Sequence, residues 1–180
     1  MLKVIAFDCF GTVFDMAGVS RDEIGDYVRH VRKNDFTPYQ FPASWLELPL
    51  HPDAAEGVQL LQAAGYKCVT LSNGAADLLG HVSRRGGIFW DKIIDLVEHR
   101  VYKPHVDAYR TVEKEMKVKP AETLMVTANP TFGDIEGAAA IGMPSQVIRQ
   151  AEGLANIIEL AWRLEPKPKS TGIGIDYRTF

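Results

Sequence analysis

Short apolar runs alternate with helical patterns along this chain, and this alternation restricts its fold more than any other feature. Each run is apolar on both faces and partly β-branched, as in a parallel sheet that helices cover on both sides. The runs lie at residues 3–7, 67–71, 92–96, 123–128 and 145–149. Helical patterns lie between them at 53–64, 75–86, 105–117 and 134–142. This alternation predicts an α/β fold with a doubly wound parallel sheet.

The segment at residues 16–48 interrupts the alternation directly after the first strand. The sequence SRDE at residues 20–23 is typical of a capping box, and the apolar stripe after it predicts a helix. A second short helical piece is predicted around Trp45. We therefore predict a small helical insert at this position. In this division the α/β core comprises residues 1–15 and 49–165, and residues 166–180 form an irregular C-terminal tail.

The composition argues against several classes of function. A net charge of -3 over 180 residues favours neither nucleic-acid binding nor membrane-surface binding. No apolar run approaches the ~20 residues of a membrane span. The two cysteines, Cys9 and Cys68, are scattered and predicted to be reduced, which favours a cytoplasmic location.

Polar side chains stand at the ends of four predicted strands. They are Asp8 after the first strand, Ser72 and Asn73 after the second, Lys103 after the third, and Thr127, Asn129 and Asp134 at the end of the fourth. In an open α/β sheet, ligands bind outside the carboxyl ends of the strands. Carboxylates, amides and a cation at this edge predict a site for a small anionic substrate.

Four motifs, in this order, resemble those of the haloacid dehalogenase-like superfamily of hydrolases. They are FDCFGTVFD at residues 7–15, LSNG at 71–74, VYKPHVDAY at 101–109 and NPTFGDIEGAAAIGM at 129–143. The resemblance extends from residue 3 to about residue 149, and the insert takes the position of that family's small cap domain. It implies a Rossmann-like core and hydrolysis through an aspartate nucleophile.

The resemblance also implies a role for each polar residue. Asp8 would form a covalent aspartyl intermediate, and Lys103 would hold Asp8 ionised, because an opposite charge within ~4–6 Å lowers the pKa of a carboxylate. Asp134 would orient a metal, a water or Lys103. The expected substrate-binding residues are Phe10, Ser72, Asn73, Thr127 and Asn129. Ser72 and Asn73 are also common turn formers, and Asp134 is a common helix N-cap.

Phe10 limits the chemistry, because the family's phosphatases usually carry a second Asp two residues after the nucleophile. That acid protonates an alkoxide leaving group, and such help is worth about 10²–10⁴-fold in rate. A phenyl ring has no proton to donate, whereas halide is a weak base that leaves without one. The sequence therefore favours dehalogenase-like hydrolysis of the carbon–halogen bond of a 2-haloacid, without a cofactor.

Two alternatives stay open. The first is a Mg²⁺-dependent phosphatase in which Asp8, the main-chain carbonyl of Phe10 and Asp134 hold the ion. Asn129 stands where such enzymes usually place an acidic ligand, which weakens that site for a hard cation. The second is a catalytically degenerate protein that binds a ligand without turnover, and Phe10 and Asn129 are the features that favour it.

The insert carries two further sets of candidate residues. In the family's dehalogenases the cap supplies an arginine that holds the leaving halide, and the candidates here are Arg21, Arg29 and Arg32, although a solvated position at the surface is favoured for each. The insert also contains the aromatic residues Phe36, Phe41 and Trp45, which serve either as a lid over the site or as the interface of a homodimer.

Overall fold

The fold is a five-stranded, all-parallel sheet with the strand order β3-β2-β1-β4-β5. A computed structural model describes residues 1–149 and 156–164. The strands are β1 (Val4–Phe7), β2 (Lys67–Thr70), β3 (Lys92–Ile93), β4 (Thr123–Thr127) and β5 (Ser145–Val147). Because β1 lies at the centre and the chain winds outward in both directions, the predicted doubly wound parallel sheet is confirmed.

Helices follow or connect the strands. They are α1 (Arg21–Arg32), α2 (Ala43–Leu46), α3 (Ala54–Ala63), α4 (Ala76–Arg85), α5 (Val106–Met116), α6 (Asp134–Ala139) and α7 (Ile157–Leu164). Short 3-10 turns lie at Pro120–Glu122 and Pro130–Phe132. No helix within the described ranges is long and apolar enough to cross a membrane.

Both faces of the sheet are buried, which explains why its strands are apolar throughout. Side chains alternate along a strand, so Ile5 and Phe7 of β1 enter one hydrophobic core and Val4 and Ala6 enter the other. All four side chains are essentially inaccessible to solvent. A strand that is buried on both faces has no polar face, and this pattern is typical of parallel sheets.

The register of β1 brings three strand ends to one edge of the sheet. Phe7 lies opposite Thr70 of β2 and Val126 of β4. The Asp8 N–H continues the ladder by donating to the Val126 carbonyl oxygen at 2.9 Å. The residues that follow β1, β2 and β4 therefore reach the same edge, as the sequence predicts.

The third strand is shorter than predicted, ending at Ile93 where the apolar run continues to residue 96. The Ile94 N–H donates to the Thr70 side-chain oxygen at 3.1 Å instead of to a main-chain partner. The Asp95 carboxylate then accepts the Val97 N–H at 2.9 Å and begins a turn. Burial of Ile94 in this loop accounts for an apolar run that is only partly a strand.

The segment at residues 16–48 contains α1 and α2. Helix α1 begins with the predicted capping box, in which the Ser20 side chain accepts the Glu23 N–H and the Glu23 carboxylate accepts the Ser20 N–H.

The sequence analysis does not predict helix α7, although the helix lies within the residues assigned to the α/β core. It packs against α3, where a Cβ atom on Gly57 would lie 2.5 Å from Ile157 Cγ2, so the two helices come too close for a side chain there. The Asp53 carboxylate accepts the Ile157 N–H at 2.6 Å. The tail predicted at residues 166–180 lies outside the described residues.

Candidate active site

Asp8, Lys103 and Asp134 meet at the carboxyl end of the sheet. Lys103 Nζ lies 3.0 Å from Asp8 Oδ1 and 2.8 Å from Asp134 Oδ1. Asp8 is 7% exposed, Lys103 8% and Asp134 2%. One buried ammonium thus bridges two buried carboxylates, and the three residues predicted to be catalytic are in direct contact.

The second oxygen of Asp8 is held by two donors. Thr12 Oγ1 donates to Asp8 Oδ2 at 3.1 Å, and Asn129 Nδ2 donates to the same oxygen at 3.0 Å. Thr12 Oγ1 in turn accepts the Ala128 N–H at 2.8 Å. The Thr12 side chain is therefore a site group that the sequence analysis did not identify.

Asn129 also ties the loop after β1 to the loop after β4. Its Nδ2 donates to the Phe10 carbonyl oxygen at 2.8 Å as well as to Asp8. Both partners are acceptors, so the amide nitrogen, and not the amide oxygen, has to face them. Gly11 makes this approach possible, because its φ of +78° is unfavourable for other residues and a Cβ there would lie 3.2 Å from Asn129 Nδ2.

Asn73 positions Lys103 through two hydrogen bonds to the main chain. Asn73 Oδ1 accepts the Lys103 N–H at 2.7 Å, and Asn73 Nδ2 donates to the Lys103 carbonyl oxygen at 3.0 Å. The prediction assigned this side chain to the substrate. In the structure Asn73 ties the loop after β2 to the loop between β3 and α5, next to the cis Lys103–Pro104 peptide bond, and its contact with a substrate stays a prediction.

Tyr109 holds the carboxylate of Asp134 in place through a hydrogen bond. Its hydroxyl donates to Asp134 Oδ1 at 3.1 Å, and Gly137 leaves room for its ring, since a Cβ there would lie 2.1 Å from a ring carbon. Asp134 is the first residue of α6, yet no side-chain cap hydrogen bond is found at that helix. Its carboxylate therefore faces Lys103 and Tyr109, and the N-cap alternative is wrong.

The two remaining hydroxyl candidates are completely buried. Thr127 Oγ1 accepts the Asn129 N–H at 3.0 Å, so it shapes the loop that carries Asn129. Ser72 Oγ has no nitrogen or oxygen partner among the described residues, and the nearby Cys9 thiol offers only the weak hydrogen bonding of sulfur.

Burial dominates the electrostatics of Asp8. It raises the pKa of Asp8 above its usual value of 3.8, and the charge of Asp134 adds to this, whereas Lys103 and Asn129 lower the pKa. Lys103 therefore acts in the predicted direction, but the net shift is upward. Burial alone would lower the pKa of the Lys103 ammonium, and the charges of Asp8 and Asp134 together raise it.

The donor set does not fit the Mg²⁺ site of the phosphatase alternative. That site needs oxygens from Asp8, Phe10 and Asp134, but Asn129 directs an amide N–H at the first two and Lys103 directs an ammonium at both carboxylates. Donor hydrogens repel a cation. Within the described ranges, no group of three or more His, Cys, Asp or Glu side chains is arranged to hold a metal.

A cluster of aromatic side chains from the insert lies against Phe10. We call Tyr27, Tyr39, Phe41 and Trp45 the aromatic cluster; their rings are 4.9–5.3 Å apart in successive pairs. Phe10 meets Trp45 edge-on at 5.1 Å and Tyr27 at 6.0 Å. The Tyr27 hydroxyl donates to the Asn73 carbonyl oxygen at 2.5 Å, which joins the insert to the loop after β2.

The structure shows where the candidate residues of the insert lie. Arg21, Arg29 and Arg32 are all exposed, and Arg29 pairs with Asp26 of its own helix, so none of the three is placed to hold a leaving group. Trp45 is 1% exposed, so it is not available to the interface of a homodimer.

Comparison with known proteins gives a consistent result. The family model of haloacid dehalogenase-like hydrolases matches residues 24–142. The (S)-2-haloacid dehalogenase of Xanthobacter autotrophicus is 28% identical over 190 aligned positions, covering 79% of this chain and 73% of that enzyme. Other curated dehalogenases match over 42–53% of their own length.

Solved structures agree with the sequence matches. A crystal structure of an L-2-haloacid dehalogenase superposes with a TM-score of 0.75 at 20% identity, covering 91% of this chain and 99% of the other. The L-2-haloacid dehalogenase from Xanthobacter autotrophicus with chloropropionic acid covalently bound superposes with a TM-score of 0.67 at 22% identity, covering 94% and 91%.

Proposed function

Since this chain belongs to the haloacid dehalogenase-like hydrolase family, we propose that it hydrolyses the carbon–halogen bond of small 2-haloacids through an ester on Asp8. The observation that carries this proposal is that hydrogen-bond donors surround the Asp8 carboxylate and no acidic side chain stands two residues after it. Lys103, Thr12 and Asn129 all donate to its carboxylate, and the residue two positions later is Phe10. Such a site supplies a nucleophile without an acid for the leaving group.

In the first step an oxygen of the Asp8 carboxylate attacks C2 of the 2-haloacid. A carbon–oxygen bond forms, the carbon–halogen bond breaks, and the halide leaves with the bonding electron pair. No proton moves, so an apolar side chain at Phe10 is compatible with the step. Lys103 offsets one of the two buried carboxylate charges, and once Asp8 is esterified the pair of Lys103 and Asp134 is neutral, so the substrate carboxylate no longer faces a net negative charge.

In the second step water attacks Cγ of the Asp8 ester. Whichever Asp8 oxygen carries the substrate, the other keeps at least one donor, because Lys103 holds Oδ1 and Thr12 and Asn129 hold Oδ2. These donors stabilise the tetrahedral oxyanion. Collapse breaks the bond between Cγ and the substrate oxygen, which restores the carboxylate and releases the 2-hydroxyacid and one proton.

The segment at residues 16–48 acts as a cap in this proposal. Asp8 and Lys103 are nearly inaccessible, so the substrate enters only when the cap moves. The aromatic cluster and Phe10 form an apolar wall that suits a short carbon chain and excludes water when the cap is closed. The bond from Tyr27 to the Asn73 carbonyl oxygen holds the closed position.

A substrate panel with and without metal tests the proposed function. We expect 2-chloropropionate and 2-bromopropionate to give equimolar halide and 2-hydroxyacid, at rates that EDTA leaves unchanged. Phosphate release from p-nitrophenyl phosphate that depends on Mg²⁺, with no halide from any 2-haloacid, would establish the phosphatase. No turnover of either the 2-haloacids or the phosphoester would favour the catalytically degenerate binding protein.

The pH dependence of turnover follows from the burial of Asp8. The nucleophile is the carboxylate, so kcat/KM is expected to fall as the pH drops through the raised pKa of Asp8, and the acid limb lies above pH 3.8. Asp134→Asn removes a charge that raises this pKa and moves the limb to lower pH, whatever it does to the maximal rate. Halide release measured from about pH 3 to about pH 9 gives the position of the acid limb in the wild type and its shift in Asp134→Asn. A limb at or below pH 3.8 in the wild type contradicts the assignment.

Location and assembly complete the proposal. The thiols of Cys9 and Cys68 are buried and their pKa values are raised, so both are unreactive thiols of the kind that a reducing cytoplasm maintains. A homodimer stays a prediction, and sedimentation equilibrium of the purified chain measures it directly.

A further inference from the structure

Trp45 carries a buried polar hydrogen that the protein itself does not use. Its side chain is 1% exposed, and its Nε1 has no hydrogen-bond acceptor among the described residues. An unpaired buried N–H costs free energy, so native proteins keep few of them, and those that persist call for an explanation such as a bound ion. By contrast, Trp90 Nε1 donates to Ser83 Oγ at 2.7 Å.

The indole of Trp45 lies against the wall of the candidate active site. Its ring contacts the ring of Phe10 edge-on at 5.1 Å and that of Tyr27 at 5.3 Å. Phe10 follows the nucleophile by two residues and its carbonyl oxygen binds Asn129. Tyr27 binds the main chain of Asn73. Both neighbours of the indole are therefore fixed to loops that surround Asp8.

Dehalogenation needs a group that receives negative charge as the halide departs. The exposed Arg21, Arg29 and Arg32 do not supply it, and Lys103 is occupied by two carboxylates. A halide ion is large and polarisable, so it tolerates apolar aromatic walls and needs only a few donors. An indole N–H between aromatic rings provides both features.

We propose that Trp45 Nε1 donates a hydrogen bond to the leaving halide. This inference rests on the dehalogenation proposed above. As the bond from an Asp8 oxygen to C2 forms, the carbon–halogen bond breaks and its electron pair stays on the halide. The indole N–H binds the resulting anion and keeps its own proton.

Halide binding in the absence of substrate tests the inference independently of turnover. The probe is sodium bromide, titrated against sodium gluconate at constant ionic strength, with tryptophan fluorescence as the signal. The protein carries Trp162→Phe, since Trp162 is 62% exposed and would be quenched by collision. We expect saturable quenching that Trp45→Phe abolishes and that Trp90→Phe, which removes a paired indole N–H in the core, retains.

A kinetic experiment compares two leaving groups, chloride and bromide. A purely structural role of Trp45 would affect both substrates equally. Loss of one donor to a developing oxyanion costs about 10²–10³-fold, and halide is a weaker acceptor, so Trp45→Phe is expected to lower kcat/KM for 2-chloropropionate about 10-fold. The loss is smaller for 2-bromopropionate, because bromide leaves more easily and accepts hydrogen bonds more weakly. An equal loss for both substrates overturns the inference.

A measurement on the wild type covers the case in which Trp45→Phe does not fold. In a ¹⁵N-labelled sample, bromide should shift the indole N–H signal of Trp45 and leave that of Trp90 in place. Saturation without any Trp45 shift overturns the inference, even if the protein dehalogenates. Bromide binding at Trp45 in a protein that releases no halide supports the site and refutes the proposed function instead.

Discussion

Asp8→Asn is expected to reduce halide release by about 10⁴-fold or more, because loss of a covalent nucleophile removes the whole two-step route. The amide keeps the size of the side chain but cannot attack carbon as an anion. Halide release from 2-chloropropionate, measured with a chloride electrode, gives the rate. Asp15→Asn is the matched control, because Asp15 belongs to the same motif but, within the described part of the chain, its carboxylate accepts only the Ala17 N–H, at 2.9 Å.

An isotope experiment identifies the atom that forms the bond. In a single turnover in H₂¹⁸O, water attacks Asp8 and not the substrate, so the label is expected in the peptide that contains Asp8, and the first 2-hydroxyacid released carries oxygen from the protein. Label in the product with none in that peptide would mean that water attacks carbon directly. The covalent mechanism would then be wrong, although the assignment of the site would stand.

Lys103→Met is expected to cost about 3–5 kcal/mol of unfolding free energy and about 10³-fold in kcat/KM. The change leaves Asp8 and Asp134 buried beside each other without the ammonium that now lies 3.0 and 2.8 Å from them. Urea denaturation measures the stability, and halide release measures the rate. Lys67→Met removes an exposed ion pair with Asp91 and should change both quantities little.

The double variant Lys103→Met/Asp134→Asn separates the structural role of Lys103 from its catalytic role. Removing one of the two carboxylates relieves their repulsion, so stability should recover in part relative to Lys103→Met. Activity should not recover, because the charge that supports Asp8 is still missing. Recovery of both quantities together would show that Lys103 serves only to balance Asp134, and its proposed role in turnover would be withdrawn.

The elements of the core could be predicted from the sequence because their signals are local. A strand that is buried on both faces is apolar at every position, and its end is marked where a polar residue such as Asp8 follows. The capping box at Ser20 likewise needs only residues within one turn. Helix α7 escaped prediction because its position depends on the contact between Gly57 and Ile157, which are 100 residues apart.

The set of polar residues at the site could be predicted, but several of their contacts could not. Asn73 was assigned to the substrate, yet its partner is the main chain of Lys103, 30 residues away. Tyr109 is part of a recognised motif, but its bond to Asp134 depends on the space that Gly137 leaves. The net rise in the pKa of Asp8 follows from burial, which arises only when the chain is folded.

The amino-acid sequence by itself determined the parallel sheet, the edge of the sheet at which Asp8, Lys103 and Asp134 meet, and the absence of an acid at Phe10. These follow from the alternation of side chains along strands and from the order of the motifs. Only the tertiary structure decided that Asn129 turns donors toward the oxygens a metal would need, that Trp45 is buried, and that the arginines of the insert are exposed. The reason is physical: which way a side chain faces depends on partners distant in sequence, and these come together only when the chain is folded.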